Sequence, residues 1–302
     1  MYNRVFRRQR RRLVSAGSVM LLAALYAVNG YARPDMTPLG ANIADKGSAF
    51  YHFTTRNFTS ADGKRRYRVW TAVPDKTPPA NGFPVLYMLD GNAVMDRLSD
   101  TLLQALSRRD PPVLIVVGYQ TRLPFDLAAR TYDYTPGQSQ NDVSQVRDKF
   151  GRMKGGSAVF RHLLETTIGP QAEQGVKTDP ARRGLWGHSY GGLFVLDAYL
   201  SSGFFTRYYS ASPSLGQGYA FLLAGLKANA QADGRRLYLM EGSDSPVNQR
   251  QMQALAALRE AVNAMREKGA LADYQLWPGL SHGQMFNTSF HSALQQISQD
   301  EK

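Results

Sequence analysis

Gly187-His188-Ser189-Tyr190-Gly191-Gly192 constrains this chain more than any other stretch. A serine with glycine two residues before and two residues after it belongs to a sharp strand-to-helix turn that lifts the hydroxyl clear of a sheet. Side chains at Gly187 or Gly191 are expected to collide with that turn. Five residues alone carry little weight in a chain with 27 glycines. The flanks add to them. Arg183-Gly184-Leu185-Trp186 reads as a short buried strand running into the motif, and Leu193, Phe194, Leu196, Tyr199 and Leu200 follow at helical spacing. Strand, turn and helix in that order make Ser189 the candidate nucleophile.

At 302 residues the chain has room for one large domain or two small ones, and 43% apolar with 20% charged residues is ordinary globular composition. The N-terminus stands apart. Six arginines lie between Arg4 and Arg12, followed by an apolar run from Leu13 to Val28 and by Asn29-Gly30-Tyr31-Ala32. This is the pattern of a secretory signal with cleavage expected after Ala32, an uncleaved membrane anchor being the alternative. Residues 1–32 are therefore assigned to a signal peptide or anchor, 33–49 to a Pro- and Gly-bearing linker, and 50–302 to one domain. The expected location is the periplasm, with attachment to the inner membrane if the leader is retained. No cysteine occurs, which excludes a thiol nucleophile, a Cys-based zinc site and a disulfide framework.

Two strand-like stretches, Tyr51–Thr59 and Arg65–Val73, are joined at Ser60-Ala61-Asp62-Gly63, a hairpin turn. Strands Val85–Leu89, Val113–Tyr119, Gly184–His188, Tyr208–Ser212, Leu237–Glu241 and Tyr274–Trp277 follow. They alternate with helices expected over Met95–Arg108, Ser157–Ile168, Gly192–Ser201, Ala220–Asn229, Gln249–Lys268 and Gln284–Ser298. An antiparallel hairpin feeding a βαβα series predicts an α/β three-layer sandwich with a mostly parallel central sheet. Gln120–Gly156 breaks the rhythm: it is long, polar and aromatic, as expected of ordered structure over an active site.

A serine hydroxyl needs a general base. Of five histidines, His188 is adjacent to Ser189 and should point away from its hydroxyl, His162 and His291 fall within expected helices, and His52 lies on an early strand. His282 lies in the loop after the last strand, downstream of the nucleophile, which is the chain order Ser…acid…His of the α/β-hydrolase fold, and it is the candidate base. The acid should come from Glu241-Gly242-Ser243-Asp244. Glu241 and Asp244 are the available carboxylates, and a Ser–His dyad without either is the alternative. An oxyanion hole would take the N–H of Tyr190 and, from the turn Leu89-Asp90-Gly91-Asn92, that of Asn92 or Gly91.

With these motifs, Val85-Leu86-Tyr87-Met88-Leu89-Asp90-Gly91-Asn92, Val116-Val117-Gly118-Tyr119, Tyr132-Asp133-Tyr134-Thr135-Pro136, Ser212-Pro213-Ser214-Leu215 and Ser281-His282-Gly283 occur in order. The set resembles the putative-esterase branch of the α/β-hydrolases, in particular its periplasmic siderophore trilactone esterases of the salmochelin and enterobactin type. The resemblance implies a serine esterase that cleaves the ester bonds of catecholate siderophores, with the iron, where present, arriving inside the substrate. It makes Ser189 the nucleophile and His282 the base, and Arg130 a candidate contact for anionic catecholates, or else a structural residue paired with Asp133. An acyltransferase or general carboxylesterase of the same fold and a non-catalytic siderophore-binding protein are the competing functions. No cofactor is expected, and the scattered histidines offer no metal site. Of the net charge of +12, residues 1–32 carry +6, leaving +6 (12 − 6) on the rest. That basic balance suits an anionic small-molecule substrate, while nucleic acid is not expected as a partner.

Overall fold

The computed structural model describes residues 34–137, 147–216, 218–229, 232–244 and 247–299, so the expected signal or anchor at 1–32 lies outside the described residues. Eight strands form one sheet: β1 (Tyr51–Thr59), β2 (Arg66–Pro74), β3 (Phe83–Met88), β4 (Val113–Tyr119), β5 (Thr178–His188), β6 (Arg207–Ala211), β7 (Arg236–Ser243) and β8 (Leu271–Pro278). Their spatial order is β1-β2-β4-β3-β5-β6-β7-β8. β1 with β2 and β2 with β4 pair antiparallel, and every later neighbour pairs parallel. The expected hairpin and mostly parallel sheet are both present.

β3 and β4 read as unbroken apolar runs because helices cover both faces of the sheet. Side chains still alternate. Val85 and Tyr87 enter a core shared with α4 (Leu127–Tyr134), α5 (Ser157–Leu163), α7 (Tyr190–Ser201), α8 (Phe221–Asn229) and α9 (Gln249–Glu267). Leu86 and Met88 enter a second core with α2 (Gly91–Arg97), α3 (Asp100–Ser107) and α10 (Met285–Ile297). Trp186 on β5 is fully buried there, edge-on to Phe286 and Phe290, with its indole N–H on Ser289 Oγ at 3.2 Å.

Four segments differ from the sequence reading. The single helix expected over Met95–Arg108 is two, because Ser99 takes an extended conformation and caps α3 by accepting the Leu102 N–H. The helix beginning at Ser157 passes through a π-helical turn at Leu164–Ile168 into a short α6 (Gly169–Ala172), where Pro170 has no N–H to continue the ladder. The irregular segment Gln120–Gly156 contains α4, started by Asp126, whose side chain accepts the Ala129 N–H. Upstream, the residues read as linker include α1 (Ile43–Lys46), closed by an Asn42–Asp45 capping box, with Ile43 buried and the Leu39 N–H on the Arg122 carbonyl at 2.7 Å.

Candidate active site

β5 ends at His188 and α7 begins at Tyr190, so Ser189 alone makes the turn. It does so at φ 61°, ψ −115°, a conformation that costs an L-residue about 1–3 kcal/mol and persists only under constraint. The constraint is visible in the hydrogen bonds. The Ser189 N–H donates to the Ala211 carbonyl at 2.9 Å, and its carbonyl accepts from the N–H groups of Leu193 (3.1 Å) and Ser214 (3.3 Å).

Gly187 acts as expected and Gly191 does not. A Cβ on Gly187 would lie 2.4 Å from the Gly191 carbonyl oxygen, and one on Gly192 would lie 2.7 Å from the Ala211 carbonyl oxygen and 3.1 Å from Pro213 Cα. At Gly191 the nearest atom would be Leu89 Cδ1 at 3.6 Å, an ordinary contact. The loop leaving β6 crosses the start of α7 over Gly192, so Gly192, and not Gly191, is the glycine that the turn needs on its helical side.

His282 lies between β8 and α10, in a turn where the Ser281 N–H and hydroxyl both donate to Gln284 Oε1. His188 holds it. The His188 Nε2–H donates to the His282 carbonyl oxygen at 2.8 Å, and the two rings lie 4.6 Å apart. Burial, and then the Arg130 charge, push the His282 imidazole down to about 4. Burial, followed by His282 and Arg130, holds His188 well below its usual value as well. Both rings are neutral at neutral pH, as a general base requires.

Of the two carboxylates, Asp244 is exposed and Glu241 is half-buried. Loss of hydration raises the Glu241 carboxyl to about 8, against hydrogen bonds from the Ser212 hydroxyl and the Gly242 N–H. A carboxyl whose affinity for its proton is raised this way is a weaker partner for an imidazolium than an ordinary carboxylate.

The β3–α2 turn is built around Asp90, which stands at φ 52°. Arg130 grips it with a fork, Nε to Oδ1 and Nη2 to Oδ2, both at 2.8 Å. Arg130 is thus buried and paired with Asp90. The alternative partner Asp133 is instead held by Arg65 (2.9 Å) and the hydroxyls of Tyr67 and Tyr119. The guanidinium also lies over the rings of Phe125, Tyr134 and Tyr190, at 5.4–5.6 Å. Burial works against its charge, yet the Asp90 carboxylate more than offsets this and raises its pKa. Nη1 donates to no described residue.

Asn92 spends its side chain on β4: Oδ1 accepts the Tyr119 N–H at 2.8 Å, and Nδ2 donates to the carbonyls of Tyr119 and Thr121. Gly118 and Gly91 make this approach possible, since a Cβ on either would lie within 2.6 Å of the facing segment. The backbone N–H groups of Asn92 and Tyr190 are in the first turns of α2 and α7, where a helix leaves donors without internal acceptors. A cavity of about 540 Å³ beside Asn92, lined by Trp70, Arg68, Thr121 and Arg122, includes neither Ser189 nor His282. Among the described residues, no group of His, Cys, Asp or Glu could hold a metal ion, and no helix is long and apolar enough to cross a membrane.

A family model described as putative esterase matches residues 60–297. The chain belongs to the putative-esterase family. The apo-salmochelin esterase of Escherichia coli O6:H1 is 52% identical over 99% of this chain and 95% of its own length. A solved complex of the enterobactin hydrolase IroE with DFP is 53% identical, with a TM-score of 0.76 over 85% of this chain and 98% of that one. The ferri-bacillibactin esterase BesA of Bacillus subtilis is 32% identical over 56% of this chain and 60% of its own. The α/β-hydrolase sandwich expected from the sequence is the fold of these relatives.

Within this esterase fold, three parts of the site escaped the sequence reading. Asp90 escaped because its left-handed backbone and its partner 40 residues downstream are both tertiary features. His188 was read as pointing away from the serine, without its grip on His282. The Ser212–Ser214 loop was visible only as a motif.

Proposed function

We propose that the protein is an exported serine esterase that hydrolyses the ester bonds of catecholate siderophores of the enterobactin and salmochelin type. Ser189 at its strained turn carries this reading, together with relatives whose names specify those substrates and with a complex of one of them with DFP, a reagent that phosphorylates activated serines. Ser189 Oγ attacks the ester carbonyl carbon while its proton passes to the His282 imidazole. Charge developing on the carbonyl oxygen meets the N–H groups of Tyr190 and Asn92. Collapse breaks the ester C–O bond, and the departing alkoxide takes the proton from the imidazolium. Water, deprotonated by the same imidazole, then releases the acid and restores Ser189.

The raised Glu241 carboxyl, spent on the Ser212 hydroxyl and the Gly242 N–H, favours a Ser–His dyad, with the His188 hydrogen bond doing part of the orienting that an acid would do. Arg130 shapes the Asp90 turn, and its Nη1 is available to an anionic catecholate, free or ferric. The leader pattern at 1–32 supports a periplasmic location, with the membrane as an attachment point if it is retained. Mass spectrometry of products from apo- and ferric enterobactin tests the whole reading. Linear or monomeric dihydroxybenzoyl-serine species are expected from the parent. Ser189→Ala should lose on the order of 10³-fold or more in kcat and should not take up DFP. An active Ser189→Ala enzyme sinks the reading.

A further inference from the structure

Ser189 Oγ stands 3.0 Å from a second hydroxyl, that of Ser214. Ser214 lies on the loop that leaves β6, and that loop is anchored at several points. The Ser212 N–H donates to the Met240 carbonyl at 2.8 Å, and Ser212 itself is held at φ 40°. The Ser212 hydroxyl bonds the Glu241 carboxyl. Pro213 lies over Gly192, and the Ser214 N–H bonds the Ser189 carbonyl. A second strained non-glycine residue, Ser212, two positions from a hydroxyl that touches the nucleophile, means that tertiary structure dictates this contact.

We propose that Ser214 is a second catalytic hydroxyl, whose O–H donates to Ser189 Oγ throughout the reaction. The inference rests on Ser189 being the nucleophile. With one lone pair of Oγ engaged by Ser214, the Ser189 proton is left to point at the imidazole. As that proton moves to His282, negative charge gathers on Oγ, and the Ser214 O–H meets it with a charge-assisted hydrogen bond. Ser214 keeps its own proton in every step. When water displaces the acyl group, Oγ is the leaving atom and gathers charge again, so acylation and deacylation both depend on the same donor. The support that other enzymes of this fold place on the histidine is here placed in part on the serine. Glu241, at the end of β7, acts at one remove, through Ser212 and the loop.

Ser214→Ala, Ser214→Thr and Ser214→Val test this. The readouts are kcat and KM on p-nitrophenyl acetate and on enterobactin, the rate of phosphorylation by DFP, and Tm. Loss of a hydrogen bond to a charged atom is expected to lower kcat and the DFP rate by about 10- to 100-fold in the Ala and Val variants, with KM within about twofold. Both substrates should lose equally, because the contact is to the enzyme's own atom. Thr, which restores the hydroxyl at the volume of Val, should recover most of the rate. A Ser214→Ala enzyme that keeps the parent DFP rate overturns the proposal, as does a change confined to KM. If the Ala variant does not fold, Thr and Val decide: equal rates overturn it, and a faster Thr variant supports it. Failure of the nucleophile reading would look different, since Ser189→Ala would then still react with DFP.

Discussion

Arg130 illustrates how much a single side chain can hold in place. Its fork neutralises an Asp90 carboxylate that is almost wholly buried, at a backbone conformation that needs support. Removing the arginine leaves that charge unpaired, at a cost of about 3–5 kcal/mol. Arg130→Ala is therefore expected to lower Tm and to slow neutral and anionic esters together, because the Asp90 turn carries the Asn92 N–H. Arg130→Lys keeps the charge but not the two-pronged geometry, so it should fall between Ala and the parent in both measurements. Were Arg130 only a ligand contact, Tm would be unchanged and KM for the anionic substrate alone would rise. His282 adds a pH signature. Its imidazole, pushed down to about 4 by burial and by Arg130, stays a competent base well below the ordinary histidine value of 6.5. On a neutral ester, kcat/KM should hold nearly level down to about pH 5 and then fall about tenfold per pH unit below pH 4. A fall already centred near 6.5 would contradict the buried environment of the ring. The sign for stability is the same. Between about 4 and 6.5 the unfolded chain binds a proton that the folded imidazole refuses, so this residue's contribution falls as pH drops through that window.

Among the elements, the start of α7 gives the sharpest test of the turn. Gly192→Ala puts a methyl 2.7 Å from the Ala211 carbonyl oxygen, where neither backbone can yield without moving Ser189. It should lose nearly all activity or fail to fold. Gly191→Ala meets only ordinary contacts and should stay folded within about 1 kcal/mol of the parent by chemical denaturation, whatever it does to kcat. The reverse pattern would mean that the elbow closes on Gly191 after all. The same elements mark what could be read in the chain. β1 and β4 were legible to their end residues, since β4 has both faces buried and β1 is bounded by a hairpin turn. The sharp turn at Ser189 and the loop place of His282 were legible because the elbow has local signals and the loop follows the last strand. The break at Ser99 was not, because apolar spacing runs on through α2 and α3 while the cap depends on the direction the chain takes. α4 was hidden by its polar residues: Arg130 and Asp133 are buried there only because Asp90 and Arg65 come to meet them.

At the scale of the whole molecule, charge remains the least local property. Residues 33–302 carry +6 (12 − 6), and part of it lies on the strap following residue 146. There Lys149 and Arg152 flank the exposed Phe150 ring, and Lys154 lies 4.8 Å from the ring of Tyr219. The same strap neighbours the turn at Ser189: Tyr190, next to it, feels the charges of Asp148 and Lys154. Arg130 cannot steer a ligand from afar, since its charge is met by Asp90 inside the protein. Long-range attraction is expected from strap cations such as the exposed Lys149 and the half-buried Lys154, whose field reaches only about 10 Å at 0.1 M salt. A multiply charged ferric catecholate should therefore lose about 3- to 10-fold in kcat/KM between 0.01 and 0.3 M salt, while p-nitrophenyl acetate is unaffected. Lys149→Gln with Lys154→Gln should flatten that salt dependence and leave kcat on the neutral ester near the parent value. If the double variant keeps the parent's salt slope, the strap is not what draws the anion in. If the slope is absent from the parent, the basic balance of the domain serves something other than substrate capture.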